Sequence, residues 1–132
     1  MDLQLEIIGK PISEVELGFT ATIRIGSPIE YELQVEGEIS VRTAEGRLVS
    51  APSNSYVEIR GELESIVGSK VVRADASEVD GLSIELSSGA VLNVPVDEHY
   101  EAWGIVGLNG YRVICLPGGE LAIWSAREGK SS

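Results

Sequence analysis

The sequence predicts a mainly β fold: a small antiparallel barrel or sandwich built from two related halves, with at most one short helix. Two observations lead to this prediction. Apolar and polar residues alternate through long stretches of the chain, which is typical of strands with one buried face and one wet face. Glycine, proline and serine interrupt these stretches at short intervals, where hairpin turns are expected.

The clearest alternation runs from Thr20 to Arg42, with apolar residues at most odd positions and polar residues at the even ones. Because side chains alternate between the two faces of a strand, the odd residues are expected to be buried and the even ones exposed. The turn at residues 26–28 joins two of these strands, and Gly37 predicts a bulge or bend. A second hairpin of the same kind is expected around residues 87–89.

The last third of the chain predicts a three-stranded meander. Its strands are expected at Trp103–Leu108, Tyr111–Leu116 and Glu120–Trp124. The residue pair at 109–110 is Asn-Gly, which favours a type I′ hairpin turn, and a Gly-Gly pair at 118–119 follows the second strand.

Helix is expected only at Arg60–Val67. Leu63, Ile66 and Val67 recur there at helical spacing, and Gly68 suits the position just beyond a helix end. The polar stretch 125–132 is expected to fray.

The length of 132 residues suits one domain, spanning residues 1–132. Within it, a weak internal repeat relates residues 8–50 to residues 67–124. The alternating segment that starts at Ile23 aligns with the one that starts at Ile84, and Gly9 aligns with Gly68. This alignment predicts duplication of one β unit, although any two amphipathic hairpins share such a pattern.

The composition restricts the possible classes of function. The chain has 21 acidic and 10 basic residues and a formal net charge of −11. Nucleic acids and anionic membranes both attract lysine and arginine, so neither is an expected partner. The sequence contains no pattern of a signal peptide or membrane span, and its single cysteine excludes an internal disulfide. A cytoplasmic location is therefore expected.

Catalysis, metal binding and cofactors are not expected. The chain has one cysteine, Cys115, and one histidine, His99, so it lacks the sets of ligands that zinc requires. His99 lies among carboxylates at residues 97–101, but neighbouring side chains rarely converge on one ion. Cys115 is expected to face the core without a base beside it. We therefore predict no catalytic residue, no metal site, no cofactor and no enzyme activity.

Four glutamates form the first candidate binding surface. The alternation from Ile29 to Val41 predicts that they point off one wet face; they are Glu30, Glu32, Glu36 and Glu38. Such a face would steer a basic protein partner towards the domain. The alternative is a solvated face that only keeps the protein soluble.

A second candidate surface lies where the final meander begins. Tyr100, Glu101 and Trp103 combine two aromatic rings with a carboxylate, and tyrosine and tryptophan are frequent anchors at interfaces. The structural alternative is that Trp103 and Trp124 pack around the middle strand of the meander.

Four segments of the chain carry a family resemblance. They read VGSKV at residues 67–71, SGAVL at residues 88–92, YEAW at residues 100–103 and VICLPGGELAIW at residues 113–124. Together they resemble an uncharacterised family of small bacterial proteins that is known only as a domain of unknown function. The resemblance implies a bacterial, cytoplasmic, single-domain protein and supplies no catalytic residue. Some small proteins of this kind accompany toxin–immunity systems.

These observations lead to one functional hypothesis with two alternatives. The protein is expected to be a non-catalytic binding protein, with an immunity- or antitoxin-like role against a basic partner such as a nuclease toxin. One alternative is a β-barrel that binds a small ligand, with Trp103 and Tyr100 at its mouth. The other is a structural or oligomerising module, and the oligomeric state stays open.

Overall fold

Two antiparallel sheets pack face to face around one hydrophobic core. The structure is a computed structural model that describes residues 2–124, so the expected fraying of residues 125–132 lies outside the described residues. Each sheet has six strands, which confirms the predicted mainly β class. The sheets do not close into a barrel. Of the two predicted architectures, barrel and sandwich, the structure therefore has the sandwich.

The first sheet, sheet I, combines strands from both halves of the chain. In spatial order it contains β1 (Asp2–Gln4), β7 (Val71–Ser77), β8 (Gly81–Leu86), β9 (Val91–Val94), β5 (Ile39–Arg42) and β6 (Leu48–Ala51). The consecutive strands β7, β8 and β9 form a meander, and β5 pairs antiparallel with β9. The meander of the second half is thus extended by strands of the first half.

The second sheet, sheet II, is arranged in the same manner. In spatial order it contains β12 (Leu121–Trp124), β11 (Arg112–Cys115), β10 (Trp103–Val106), β4 (Tyr31–Val35), β3 (Ala21–Ile25) and β2 (Ile12–Leu17). The meander β2-β3-β4 belongs to the first half, and β4 pairs antiparallel with β10 of the second half. The three-stranded meander predicted at the end of the chain is confirmed as β10, β11 and β12.

The turn between β10 and β11 differs from the predicted two-residue hairpin. It contains a short 3-10 turn, Leu108–Gly110, and Gly107 donates its N–H to the carbonyl of Tyr111 at 2.9 Å. Tyr111 is buried, and its ring meets that of Tyr31 edge to face at 5.8 Å. The loop therefore has three residues, 108–110, and the N–H of Tyr111 donates to the carbonyl of Leu108 at 3.2 Å, so the type I′ prediction is wrong.

The chain passes from sheet I to sheet II between β1 and β2, and beyond β2 it crosses between the sheets twice more. Residues 36–38 connect β4 to β5, and residues 95–102 connect β9 to β10. The bend predicted at Gly37 is confirmed, and it lies in the first of these crossings. Gly37 donates its N–H to the carbonyl of Ala102 at 3.1 Å, so the two crossings are in direct contact.

The core lies between the sheets and contains the alternating apolar residues of both. Ile23 and Leu33 point into it from sheet II, and Ile84 and Leu92 point into it from sheet I. Fully burying one such side chain contributes roughly 1.5–3 kcal/mol. Since both sheets face the same core, the period-two pattern of the sequence continues through the first crossing.

The predicted helix is confirmed but is shorter than expected. It is α1 (Arg60–Glu64), it follows a 3-10 turn at Tyr56–Ile59, and it is the single α-helix between residues 2 and 124. Gly68 donates its N–H to the carbonyl of Ile12 at 2.8 Å. This bond attaches the chain beyond α1 to β2 instead of extending the helix.

Gly81 provides a test of this packing. It begins β8 with a φ of +82°, and a β-carbon there would collide with the carbonyl of Val94 and with Pro95. Gly81→Ala should lower the free energy of unfolding by about 3 kcal/mol, since left-handed strain and a backbone collision combine. The matched control is Gly46→Ala, because Gly46 has a φ of +91° in open surroundings; its expected loss is about 1 kcal/mol. Equal losses in urea unfolding would contradict the packing argument.

Because of Tyr56, the free energy of unfolding is expected to fall at alkaline pH. Its hydroxyl donates to the carbonyl of Gly37 at 2.7 Å, and burial raises the pKa of Tyr56 above its ordinary 10.0. The unfolded chain therefore releases this proton first, and stability should fall as pH rises above about 10. Tyr56→Phe should be less stable by about 1–2 kcal/mol near pH 8, where it lacks the buried hydrogen bond.

The pH profile separates this ionisation from other effects. Because phenylalanine cannot ionise, Tyr56→Phe should lose less stability than the wild type between about pH 9.5 and 11. Tyr31 and Tyr111, whose pKa values are also raised by burial, contribute equally to both proteins. Parallel losses for wild type and variant would show that Tyr56 does not contribute to the alkaline sensitivity.

Candidate functional site

The outer face of sheet II brings charged and apolar side chains together. Outward-facing residues alternate with core residues on each strand, and the strand register aligns them in two rows. From β3 to β12, one row is Arg24, Glu32, Val106, Arg112 and Trp124, and the other is Thr22, Gln34, Gly104, Ile114 and Ala122. Residues from both halves of the chain therefore share this face.

A shallow groove crosses the face where β10 lacks a side chain. Gly104 lies between Gln34 of β4 and Ile114 of β11, and a groove of about 130 Å³ forms over it. This volume is smaller than the roughly 300–1,000 Å³ of small-molecule sites. The charged residues that line the groove are Glu32, Glu36, Glu101 and Arg112. We call it the acidic groove.

One arginine is shared by three carboxylates on the β2–β4 side of this face. Arg24 contacts Glu14 at 2.5 Å, Glu16 at 2.9 Å and Glu32 at 3.0 Å. Hydrogen bonding to Glu16, and then to Glu32, raises the pKa of the Arg24 guanidinium. Glu32 lines the acidic groove, but its side chain is only 32% exposed and its charge is paired.

Glu36 and Glu101 are the exposed, unpaired carboxylates of the acidic groove: neither makes an ion pair within residues 2–124. Glu36 directly follows β4, and hydrogen bonds hold its backbone on both sides. Its N–H donates to the carbonyl of Ala102 at 3.0 Å, and its carbonyl accepts from the hydroxyl of Ser53 at 2.7 Å. Its carboxylate therefore projects from a backbone anchored to a distant part of the chain.

Arg112 is engaged with an aromatic ring. Its guanidinium carbon lies 5.4 Å from the ring centroid of Trp124, which is within the range of a cation–π interaction. Trp124 is 49% exposed. In the described part of the chain, Arg112 makes no ion pair with the groove carboxylates, so the acid of the groove remains available.

The acidic groove adjoins a second recess, where the chain crosses between the sheets. Glu36 lines both, and the other residues of the recess are Phe19, Thr20, Ser53, Asn54 and Tyr100. We call it the end recess. The sequence analysis did not identify Phe19 as a candidate site residue. The signal was present, since the chain's one phenylalanine stands in the turn Gly18-Phe19-Thr20, where a core residue is not expected.

The four glutamates predicted to share one face do not do so. Glu30 precedes β4 and pairs with Lys10 at 2.6 Å, whereas Glu36 follows β4 at its other end. Glu38 is exposed just before β5, which belongs to sheet I. The prediction is wrong because the chain leaves sheet II after Val35, while the sequence alternation continues.

Trp103 does not suit the predicted role in partner contact. It is 1% exposed and points into the core opposite Cys115, so it cannot touch a partner at the surface. Its indole nitrogen has no hydrogen-bond partner among residues 2–124. Trp103 and Trp124 also lie on opposite faces of the meander, because Trp124 aligns with the outward Arg112. With no barrel formed, Trp103 and Tyr100 have no barrel mouth to line.

Groups capable of chemistry are dispersed or buried. Cys115 lies in the core, where burial raises the pKa of its thiol. His99 is exposed, and its backbone N–H donates to a carboxylate oxygen of Asp97 at 2.8 Å. Between residues 2 and 124, no three His, Cys, Asp or Glu side chains are grouped as metal ligands would be. None of the described helices has the length and apolar character needed to cross a membrane.

A comparison with protein-family models finds one family that matches nearly the whole sandwich. The model of a family of unknown function, DUF6188, matches residues 3–125. The chain belongs to this family. The match includes both sheets, the acidic groove and the end recess, and a family of unknown function assigns no role to any of them. No curated protein and no solved structure matches the chain.

Arg24 allows a test of the charge balance on this face. Arg24→Gln removes the cation that three carboxylates share. Its thermal midpoint should therefore be lower than that of the wild type at about 20 mM salt, with the deficit shrinking at about 500 mM. The control is Arg60→Gln, which loses the same charge but only one exposed pair, with Glu64. A deficit that is independent of salt, or equal in both variants, would contradict this account.

Proposed function

We propose that the protein is a non-catalytic binding protein, and that its acidic groove docks a basic protein partner. The observation that carries this proposal is a pair of exposed carboxylates in one groove, Glu36 and Glu101, that make no ion pair in the described range 2–124. Three other carboxylates on the same face share the single positive charge of Arg24. Within residues 2–124, Glu36 and Glu101 have no cation at ion-pair distance, so their charges at the groove can attract a cationic surface.

Apolar side chains beside the groove support the same proposal. Val106 and Ile114 line it, and the half-exposed Trp124 lies on the same face. Stable interfaces combine an apolar centre with a polar rim, and tryptophan is among the residues that contribute most to binding. Charged and apolar groups at one place therefore suit a protein surface better than a free cation.

The most specific form of the proposal is an immunity- or antitoxin-like role. A nuclease needs a positive cleft to hold phosphates, and an acidic domain would occupy such a cleft by charge and by bulk. The formal net charge of −11 favours fast, steered association with a basic partner of this kind. We place this activity in a bacterial cytoplasm, in keeping with the family resemblance and the single buried cysteine.

The test uses charge reversal at the groove. Glu36→Lys with Glu101→Lys should slow association with the partner about tenfold at low salt, and the deficit should shrink as salt rises. The matched control is Glu45→Lys with Glu58→Lys, which changes net charge equally at exposed sites away from the groove. A partner captured on the immobilised protein and then purified would be measured by surface plasmon resonance.

The outcomes of this experiment are distinct. Slower association confined to the groove variant supports the proposal. Equal slowing in both double variants would show that the groove acts only through the overall negative charge of the protein. Unchanged association in the groove variant would overturn the proposal. Glu32 is left intact in both variants, because its pairing with Arg24 would mix stability with binding.

A further inference from the structure

The end recess holds two aromatic rings that the fold leaves in water. Phe19, at the tip of the β2–β3 hairpin, is 86% exposed, and Tyr100, in the second crossing, is 62% exposed. They come from different halves of the chain and line one recess together with Glu36. Burying a phenylalanine side chain contributes roughly 1.5–3 kcal/mol, and this fold forgoes that contribution at Phe19.

Exposure at a hairpin tip does not by itself mark a site. Val79 is 84% exposed at the tip of the β7–β8 hairpin in the other sheet, yet it does not line the end recess. The distinguishing feature at Phe19 is the convergence of a second ring and a carboxylate. A carboxylate beside aromatic faces has the chemistry that attracts a cation.

Two of the groups that line the recess, Glu36 and Tyr100, stand on hydrogen-bonded backbone. The N–H and carbonyl of Glu36 are both hydrogen-bonded. A carboxylate oxygen of Asp97 accepts from the N–H groups of His99 and Tyr100, at 2.8 and 3.0 Å, and so shapes the loop that carries Tyr100. Such preorganisation lowers the entropy that binding must overcome.

We propose that the end recess seats an arginine side chain of the basic partner, with its guanidinium against Phe19 and Tyr100 and its charge facing Glu36. This inference rests on the proposed function and names the chemistry by which the partner is recognised. Arginine suits the recess better than lysine, because a planar guanidinium stacks on an aromatic ring while it bonds a carboxylate. Arg112 and Trp124 already form a contact of this type within the same sheet.

The test compares two peptides and two apolar truncations. The probes are fluorescein-labelled peptides with three Arg-Gly repeats or three Lys-Gly repeats, and binding is measured by fluorescence anisotropy. Phe19→Ala should weaken binding of the arginine peptide about fivefold, in line with the strength of a cation–π contact, and should affect the lysine peptide less. Val79→Ala is the matched control and should change neither affinity. Phe19→Trp, which keeps an aromatic ring at this position, should bind the arginine peptide at least as tightly as the wild type.

A second measurement locates the bound side chain. When N-acetyl-arginine amide is added to the ¹⁵N-labelled protein, amide signals of Glu36, Ser53 and Tyr100 should shift, and those near Val79 should not. The arginine seat would be overturned if Phe19→Ala and Val79→Ala changed the peptide affinities equally. It would also be overturned if Phe19→Ala weakened binding of the arginine and lysine peptides by the same factor.

The two proposals fail in different ways. If Phe19→Ala does not change the affinity for the arginine peptide while the groove variant slows association with the partner, the arginine seat is wrong and the proposed docking in the acidic groove stands. If Phe19→Ala weakens binding of the arginine peptide while Glu101→Lys alone, which leaves Glu36 of the seat intact, does not change partner association, the seat stands and the proposed docking in the groove is wrong.

Discussion

The structure depends on antiparallel pairing between its two halves. β4 pairs with β10 in sheet II, and β9 pairs with β5 in sheet I. In each case the last strand of a local meander bonds to a strand from the other half, so neither half completes a sheet alone. The segments that precede the two meanders also meet, through an antiparallel bridge between Pro11 and Lys70. Closing these long loops carries an entropy cost that the shared core must offset.

This pairing also creates the candidate site. The acidic groove exists because Gly104 of β10 lies next to Gln34 of β4, and its unpaired carboxylates, Glu36 and Glu101, come from the two crossings. The same crossings bring Tyr100 to the recess that contains Phe19. A change that loosened the bond from Glu36 to Ala102 would therefore disturb the fold and the site together.

The strand order gives a simple meaning to the internal repeat. The aligned positions Ile23 and Ile84 lie in β3 and β8, the middle strands of the two meanders. Gly9 and Gly68 both have positive φ values, +84° and +95°, just before those meanders begin. Duplication followed by exchange of the later strands would produce both sheet orders. It remains a prediction, and it suggests why the hairpin tips at Phe19 and Val79 stand at corresponding places.

The sequence by itself determined the strands of the alternating segments, the positions of the turns between them and the inward direction of Cys115, because alternation and turn residues act over a few neighbouring positions. Only the tertiary structure decided that Glu32 is paired, that Trp103 is buried and that Phe19 and Tyr100 line one recess. The pattern from Ile29 to Val41 could not reveal the crossing at Gly37, since both sheets face one core and the alternation passes through unchanged. Which carboxylates keep free charge depends on strands that pair across the halves, and local periodicity contains no record of that pairing.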